Sequence, residues 1–204
     1  GARTALEAAR AEQELAAERA ARARADESSA QAAYVSLSAL QRDYEGYGRA
    51  VRALLTSDEW RRAGLLGAVG ELVSAPREYE RAIEAALGPA VQNIIASTSG
   101  VAEKAISFLK ESHAGRATFL PLDILRPSTV PSSQIPKTAP GVIGLASDLA
   151  ESAPQHRKAV DYLLGRVLVV QDLRCGVALI RSGVRLRMVT PDGDQISAGG
   201  AMTG

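Results

Sequence analysis

The chain repeats itself, and that repeat constrains its fold more than any other feature. The stretch "AIEAALG" (82–88) returns as "AVDYLLG" (159–165), and "VQNIIAS" (91–97) returns as "RVLVVQD" (166–172). A helical stretch over 100–113 returns as "RCGVALIRSG" (174–183), and "RATFLPLD" (116–123) returns as "RLRMVTPD" (185–192). Four matches in one order, in register on Gly88 and Gly165, predict helix, strand, helix, strand twice over. The fold class is therefore α+β, in two similar lobes. Between them lies "RPSTVPSSQIPKTAPG", where Pro127, Pro131, Pro136 and Pro140 fall too densely for a helix or an inner strand. The lobes are placed at about 64–126 and 141–204, with a linker at 127–140. Within them "GAVGELV" reads as a strand, and "PREYERAIEAALG" as a helix with Pro76 in its first turn and Gly88 at its C-cap. "PDGD" reads as a hairpin turn, with Gly193 at positive φ.

Residues 2–45 contain neither glycine nor proline and are rich in Ala, Glu, Arg and Gln. Such a stretch predicts one helix, roughly 60 Å long at 1.5 Å per residue. Its apolar residues are sparse at first (Leu6, Leu15). They then recur as Leu40, Tyr44, Tyr47, Val51 and Leu54, in alternating steps of four and three that trace a heptad seam. So narrow a stripe calls for one partner helix rather than a globular core. The expected organisation is a coiled-coil arm over 1–51 followed by a folded domain over 52–204.

Little in the composition announces chemistry. The net charge is +1, so a nucleic-acid surface would have to be local. With Cys175 as the one cysteine no internal disulfide can form, which fits a reducing, cytoplasmic setting. No apolar run reaches the ~18 residues of a membrane span. His113 and His156 stand far apart, and no acidic or cysteine residues cluster at ligand spacing, so no metal site is expected. Cys175 lies in an apolar helical stretch and reads as a small buried hydrophobe. "GGAMTG" lacks the lysine of a phosphate-binding loop. No catalytic residue and no cofactor are expected.

The end of the chain, "PDGDQISAGGAMTG", places Gly199, Gly200 and Gly204 beside a turn and a short strand. Together with "GAVGELVSAPREYERAIEAALGPAVQNIIA", "AISFLKESHAGRATFLPLD" and "YLLGRVLVVQDL", it resembles the hinge domain of SMC (structural maintenance of chromosomes) proteins, bacterial type. The resemblance covers roughly residues 47–204. It implies a two-fold homodimer in which each lobe meets the opposite lobe of the partner, with Gly199, Gly200 and Gly204 at the interface. It also implies an arm that belongs to an intramolecular antiparallel coiled coil, whose returning helix is not in this sequence. ATPase heads would lie at the far end of the whole protein and are absent here, so the chain itself is not expected to be an enzyme. The implied role is chromosome condensation and segregation at the nucleoid. Weak, sequence-independent DNA binding is implied too, with Arg49, Arg52, Arg61 and Arg62 near the arm junction and Lys104, Lys110 and Arg116 in the first lobe as candidate contacts. The alternative is the hinge of a related DNA-repair or cohesin/condensin-type subunit, which would form a heterodimer.

Overall fold

The computed structural model describes residues 18–31, 46–130 and 139–204. Residues 18–31 form a helix (α1), exposed along its length. The seam positions Leu40 and Tyr44, and the middle of the proline-rich linker, lie outside the described residues. The chain divides into two compact units, and the second runs Tyr47–Gly204. The boundary thus falls before the expected 51/52. Helix α2 (Arg49–Leu55) buries Ala50, Val51, Leu54 and Leu55 inside the second unit. Val51 and Leu54, assigned by spacing to an arm seam, are core residues here, at 3% and 0% exposure. Heptad spacing and the apolar face of a core helix share the same 3–4 step, so periodicity alone cannot separate them.

The repeat is real and begins earlier than the sequence reading placed it. After α3 (Asp58–Ala63), the first lobe runs β1 (Leu65–Ala68), α4 (Val69–Leu72), β2 (Val73–Ser74), α5 (Glu80–Leu87), β3 (Ile94–Ala96), α6 (Ser99–Glu111) and β4 (Phe119–Pro121). The second runs β5 (Val142–Leu145), α7 (Ala146–Leu149), β6 (Glu151–Ser152), α8 (Arg157–Leu164), β7 (Val167–Val170), α9 (Leu173–Arg181) and β8 (Arg187–Val189). It then adds β9 (Gln195–Ile196) and β10 (Met202–Thr203). "GAVGELV" is therefore not one strand. Gly67 sits at φ 141° on a bulge, and the Glu71 carboxylate accepts the Ala68 N–H at 3.0 Å, closing a helical turn after β1. Helix α5 starts at Glu80 rather than Pro76. Pro76 instead opens a turn, its carbonyl accepting the Tyr79 N–H. The helix ends at Gly88 as expected (φ 49°).

In each lobe the third strand lies between an antiparallel and a parallel neighbour. The first sheet has order β1-β3-β4 and the second β10-β9-β8-β7-β5. Both faces of the second sheet are covered. Val167, Val169 and Val189 enter a core shared with the first lobe (Val69, Ile83, Ala86, Ile95, Leu120), while Leu168, Val170, Met188 and Ile196 pack beneath α9 with Leu179. This two-sided burial explains why "VLVV" shows no polar alternation. The lobes thus share one core. Two short strands also pair across them, β2 with β6, joining Val73 to Ser152 and Ser74 to Glu151.

Candidate interaction surface

The C-terminal glycines close a hairpin rather than trailing as a tail. The turn between β8 and β9 has Gly193 at φ 98°, its N–H donating to the Thr190 carbonyl at 2.9 Å. The "PDGD" turn is as the sequence reading expected. Between β9 and β10, Ser197 ties the loop. Its N–H donates to the Ala201 carbonyl at 2.8 Å, its carbonyl accepts from Gly200 N–H at 2.9 Å, and its Oγ accepts from Ala201 N–H at 2.9 Å. Ser197 was not among the residues expected at this end of the chain, although a serine two residues before paired glycines is a turn signal.

Of the three glycines, Gly200 alone has a positive φ, 93°. A Cβ built there meets no atom within 4 Å, and one at Gly199 meets the Ser197 Oγ at 3.9 Å. At Gly204 a Cβ would come within 2.6 Å of the Asp194 carboxylate. Within the chain, then, Gly200 is favoured by its backbone angle, and at Gly204 a side chain would make the Asp194 carboxylate shift. Neither reason applies to Gly199.

Strand β10 is one edge of the five-stranded sheet, β5 being the other. Ala201 bonds inward to Ser197 and Thr203 faces Gln195, so alternation turns the Met202 N–H and C=O outward. Its side chain is 51% exposed. In the first lobe, with β1 at the opposite side of the sheet, β4 is likewise an edge. There the Thr118 carbonyl and Leu122 N–H bond to β3, which turns Phe119 and Pro121 away from it. Pro121, lacking an N–H, removes no bond to β3 in that position and presents only its carbonyl to the open edge. Beside this edge Ile124 is 63% exposed. It is held there by Asp123, whose carboxylate accepts from Ser99 N–H (2.8 Å), Ser99 Oγ–H (2.9 Å) and Ile124 N–H (2.9 Å). The Ser99 backbone bond is the main reason that the Asp123 carboxyl lies below the usual aspartate range.

The basic candidates are all exposed but differ in their freedom. Arg49 is committed to the turn after α6, donating to the carbonyls of His113 (2.6 Å) and Ala114 (3.3 Å). Arg52 donates to the Tyr47 carbonyl and Arg61 to that of Leu55. Arg62, Lys104, Lys110 and Arg116 hold no carbonyl or carboxylate among the described residues. Trp60 meets Phe108 with ring centroids 5.4 Å apart, which seats α3 against α6. Arg61 and Arg62 are thereby brought to the helix carrying Lys104 and Lys110, and Arg49 to the loop that leads to Arg116.

The histidines and the cysteine have structural places. His113 closes α6 in the left-handed region (φ 51°), where the second lobe has Gly183. His156 is 7% exposed with an unpartnered Nδ1, and burial pushes its pKa down. The Cys175 thiol donates to the Pro140 carbonyl at 3.1 Å, and burial followed by Asp172 pushes it up, away from the thiolate.

Comparison with known proteins gives this geometry a context. The family described as SMC proteins Flexible Hinge Domain matches residues 62–180. The chain is 39% identical over 177 residues to the Chromosome partition protein Smc of Desulfitobacterium hafniense, covering 85% of this chain and 15% of that protein. Against the protein of the same name from Bacillus subtilis the identity is 39% over 171 residues, covering 82% and 14%. Among solved structures, the hinge of Geobacillus stearothermophilus, crystallised as an asymmetric dimer, superposes with a TM-score of 0.78. It is 39% identical, covering 85% of this chain and 72% of that one. The Pyrococcus furiosus SMC hinge gives 0.62 at 36% identity, covering 80% and 82%.

Proposed function

The chain belongs to the SMC hinge family, and from that premise we propose that it is the dimerisation module of a chromosome-organising SMC ATPase. The observation that carries the reading is an asymmetry between the lobes. The second lobe continues past β8 with β9 and β10, whereas the first stops at β4 and leaves that edge bare. A second copy can supply what the first lobe lacks, β10 of each chain adding to β4 of the other. The contact is isologous and occurs twice, which closes a ring. Met202 and Ile124, exposed beside the two edges, provide apolar anchors. The Geobacillus hinge, an asymmetric dimer, supports association of this fold with itself.

The chain spans about 15% of the length of the curated relatives it matches. Chromosome partition, ATP hydrolysis and residence at the cytoplasmic nucleoid are accordingly proposed for the whole protein, not for this segment. No turnover of ATP by the purified chain is expected. Among the described residues no helix is long and apolar enough to cross a membrane. We assign DNA contact to the α3–α6 face, with Arg62, Lys104, Lys110 and Arg116 as cations without partners among the described residues and Arg49, Arg52 and Arg61 bordering it. Binding of this kind is indifferent to sequence and weakens steeply with salt.

Light scattering and sedimentation equilibrium of the purified chain test the reading. A dimer is expected. Met202→Pro, which deletes an N–H facing the open edge and no bond to β9, should give a folded monomer. A parent chain that stays monomeric overturns the proposal, and a Met202→Pro dimer as tight as the parent overturns strand addition.

A further inference from the structure

Arg187 occupies an unusual position. It lies on β8, on the face of the sheet turned to the first lobe, and its guanidinium crosses to that lobe. One terminal nitrogen donates to the Ala86 carbonyl at 2.8 Å, and the other to the Ala85 carbonyl at 2.9 Å. The second nitrogen also donates to the Gln195 Oε1 at 2.6 Å. Ala85 and Ala86 lie in the last turn of α5, where carbonyls lack helical partners and the helix dipole is negative. Gln195 lies on β9, the strand against which β10 is laid. One planar group thus joins the end of a first-lobe helix to the strand that carries the terminal hairpin.

We propose that Arg187 is the positioning residue for dimerisation, setting the angle of the β9–β10 hairpin relative to the first lobe so that both inter-chain contacts can close at once. This inference rests on the strand-addition reading above. A two-fold ring imposes a demand that a single contact does not. Each chain must present its β10 edge and its β4 edge at a mutual orientation that matches its partner. If the angle drifts, one contact forms and the second cannot follow. The advantage of making the second contact within an already associated pair is then lost.

The shared apolar core holds the lobes together but is non-directional, since burial of apolar surface fixes area rather than angle. Hydrogen bonds have direction, and a guanidinium offers several in a rigid plane. The remaining polar ties between lobes act elsewhere. The Lys158 Nζ donates to the Leu122 carbonyl at 2.5 Å, and β2 pairs β6, but neither touches β8, β9 or β10. Arg187 is the link between the first lobe and the hairpin strands among the hydrogen bonds of the described residues.

The test compares Arg187→Lys, Arg187→Met and Gln195→Met with the parent chain. The dimer constant is measured by sedimentation equilibrium. Fold is measured by circular dichroism and thermal melting at concentrations below dissociation, where every variant is monomeric. Lysine keeps the charge and reach but cannot span two carbonyls and an amide in one plane, so it should not rescue. Each variant is expected to raise the dimer dissociation constant by about a hundredfold or more, as the second contact is lost. Monomer melting should stay close to that of the parent for Gln195→Met. Monomer melting that falls while the dimer constant holds would make Arg187 a purely structural tie and overturn the proposal. So would full rescue by lysine. A parent chain that is itself monomeric would instead refute the dimer reading on which this rests.

Discussion

Gly199 gives the cleanest probe of whether a partner reaches the terminal hairpin, because the chain by itself does not need it to be glycine. Its φ is not in the left-handed region, and an added Cβ meets only the Ser197 Oγ at 3.9 Å, an ordinary contact. Alone, Gly199→Ala should be neutral, or stabilise by roughly 0.4–1 kcal/mol through a less flexible unfolded chain. Gly200→Ala differs, since φ 93° with a Cβ costs about 1 kcal/mol even in the empty space around it. If a second chain packs on this loop, each new methyl is overpacked at roughly 1–3 kcal/mol, and symmetry makes it count twice. Gly199→Ala should then weaken the dimer by roughly 2–6 kcal/mol, or about 30-fold to 10⁴-fold at 1.4 kcal/mol per decade. Sedimentation equilibrium gives the dimer constant, and urea unfolding of the dilute monomer gives the intrachain effect. The expected outcome is a split in which the monomer is unharmed and the dimer is weakened. A Gly199→Ala dimer as tight as the parent would refute it and leave Gly200 as a requirement of the turn alone.

Asp123→Asn should reduce acid sensitivity. The folded carboxyl lies below its ordinary range, so its stabilisation is present above the unfolded value and is lost as pH falls through the folded one; urea midpoints at pH 3 and pH 6 should differ less in the variant. His156 is held neutral by burial, so the folded state resists protonation; stability should be full above the usual histidine pKa and decline as pH falls below it, and His156→Leu should flatten that decline in thermal melts. His113→Gly should raise stability by about 1 kcal/mol in chemical denaturation, because it relieves a left-handed residue whose one bond to the Arg49 guanidinium is made by its backbone carbonyl, which glycine keeps.

The repeat was legible because strands buried on two faces and helices with strong apolar stripes leave matching strings, as "AIEAALG" and "AVDYLLG" do. Its upstream part was present but unread. "GLLGAVGEL" and "GVIGLASDL" align Gly64 with Gly141, Gly67 with Gly144 and Glu71 with Asp148, giving strand, bulge and helical turn in both lobes. Continuous apolarity across a bulge looks like an unbroken strand, since nothing in local composition reveals that Glu71 folds back to cap Ala68. The boundary near Tyr47 was misplaced for a related reason, Val51 and Leu54 satisfying a heptad and a core helix equally well. The terminal glycines were legible as a place where backbone freedom mattered. Which strands form the edges was not, because edges are a property of sheet order. Strands β4 and β8 read as equivalents in sequence, and only the order β1-β3-β4 against β10-β9-β8-β7-β5 shows that one is covered and the other open. Arg187 is the sharpest case. Its partners lie 101 and 102 residues away on backbone carbonyls, which carry no sequence signature. In the repeat, Gly67 faces Ile95 as Gly144 faces Val169, and Ile95 and Val169 in turn face Leu120 and Val189. Arg187 therefore matches Thr118, and the first lobe holds a hydroxyl where the second holds a guanidinium. The two lobes thus differ at the position that ties β8 and β9 to the end of α5.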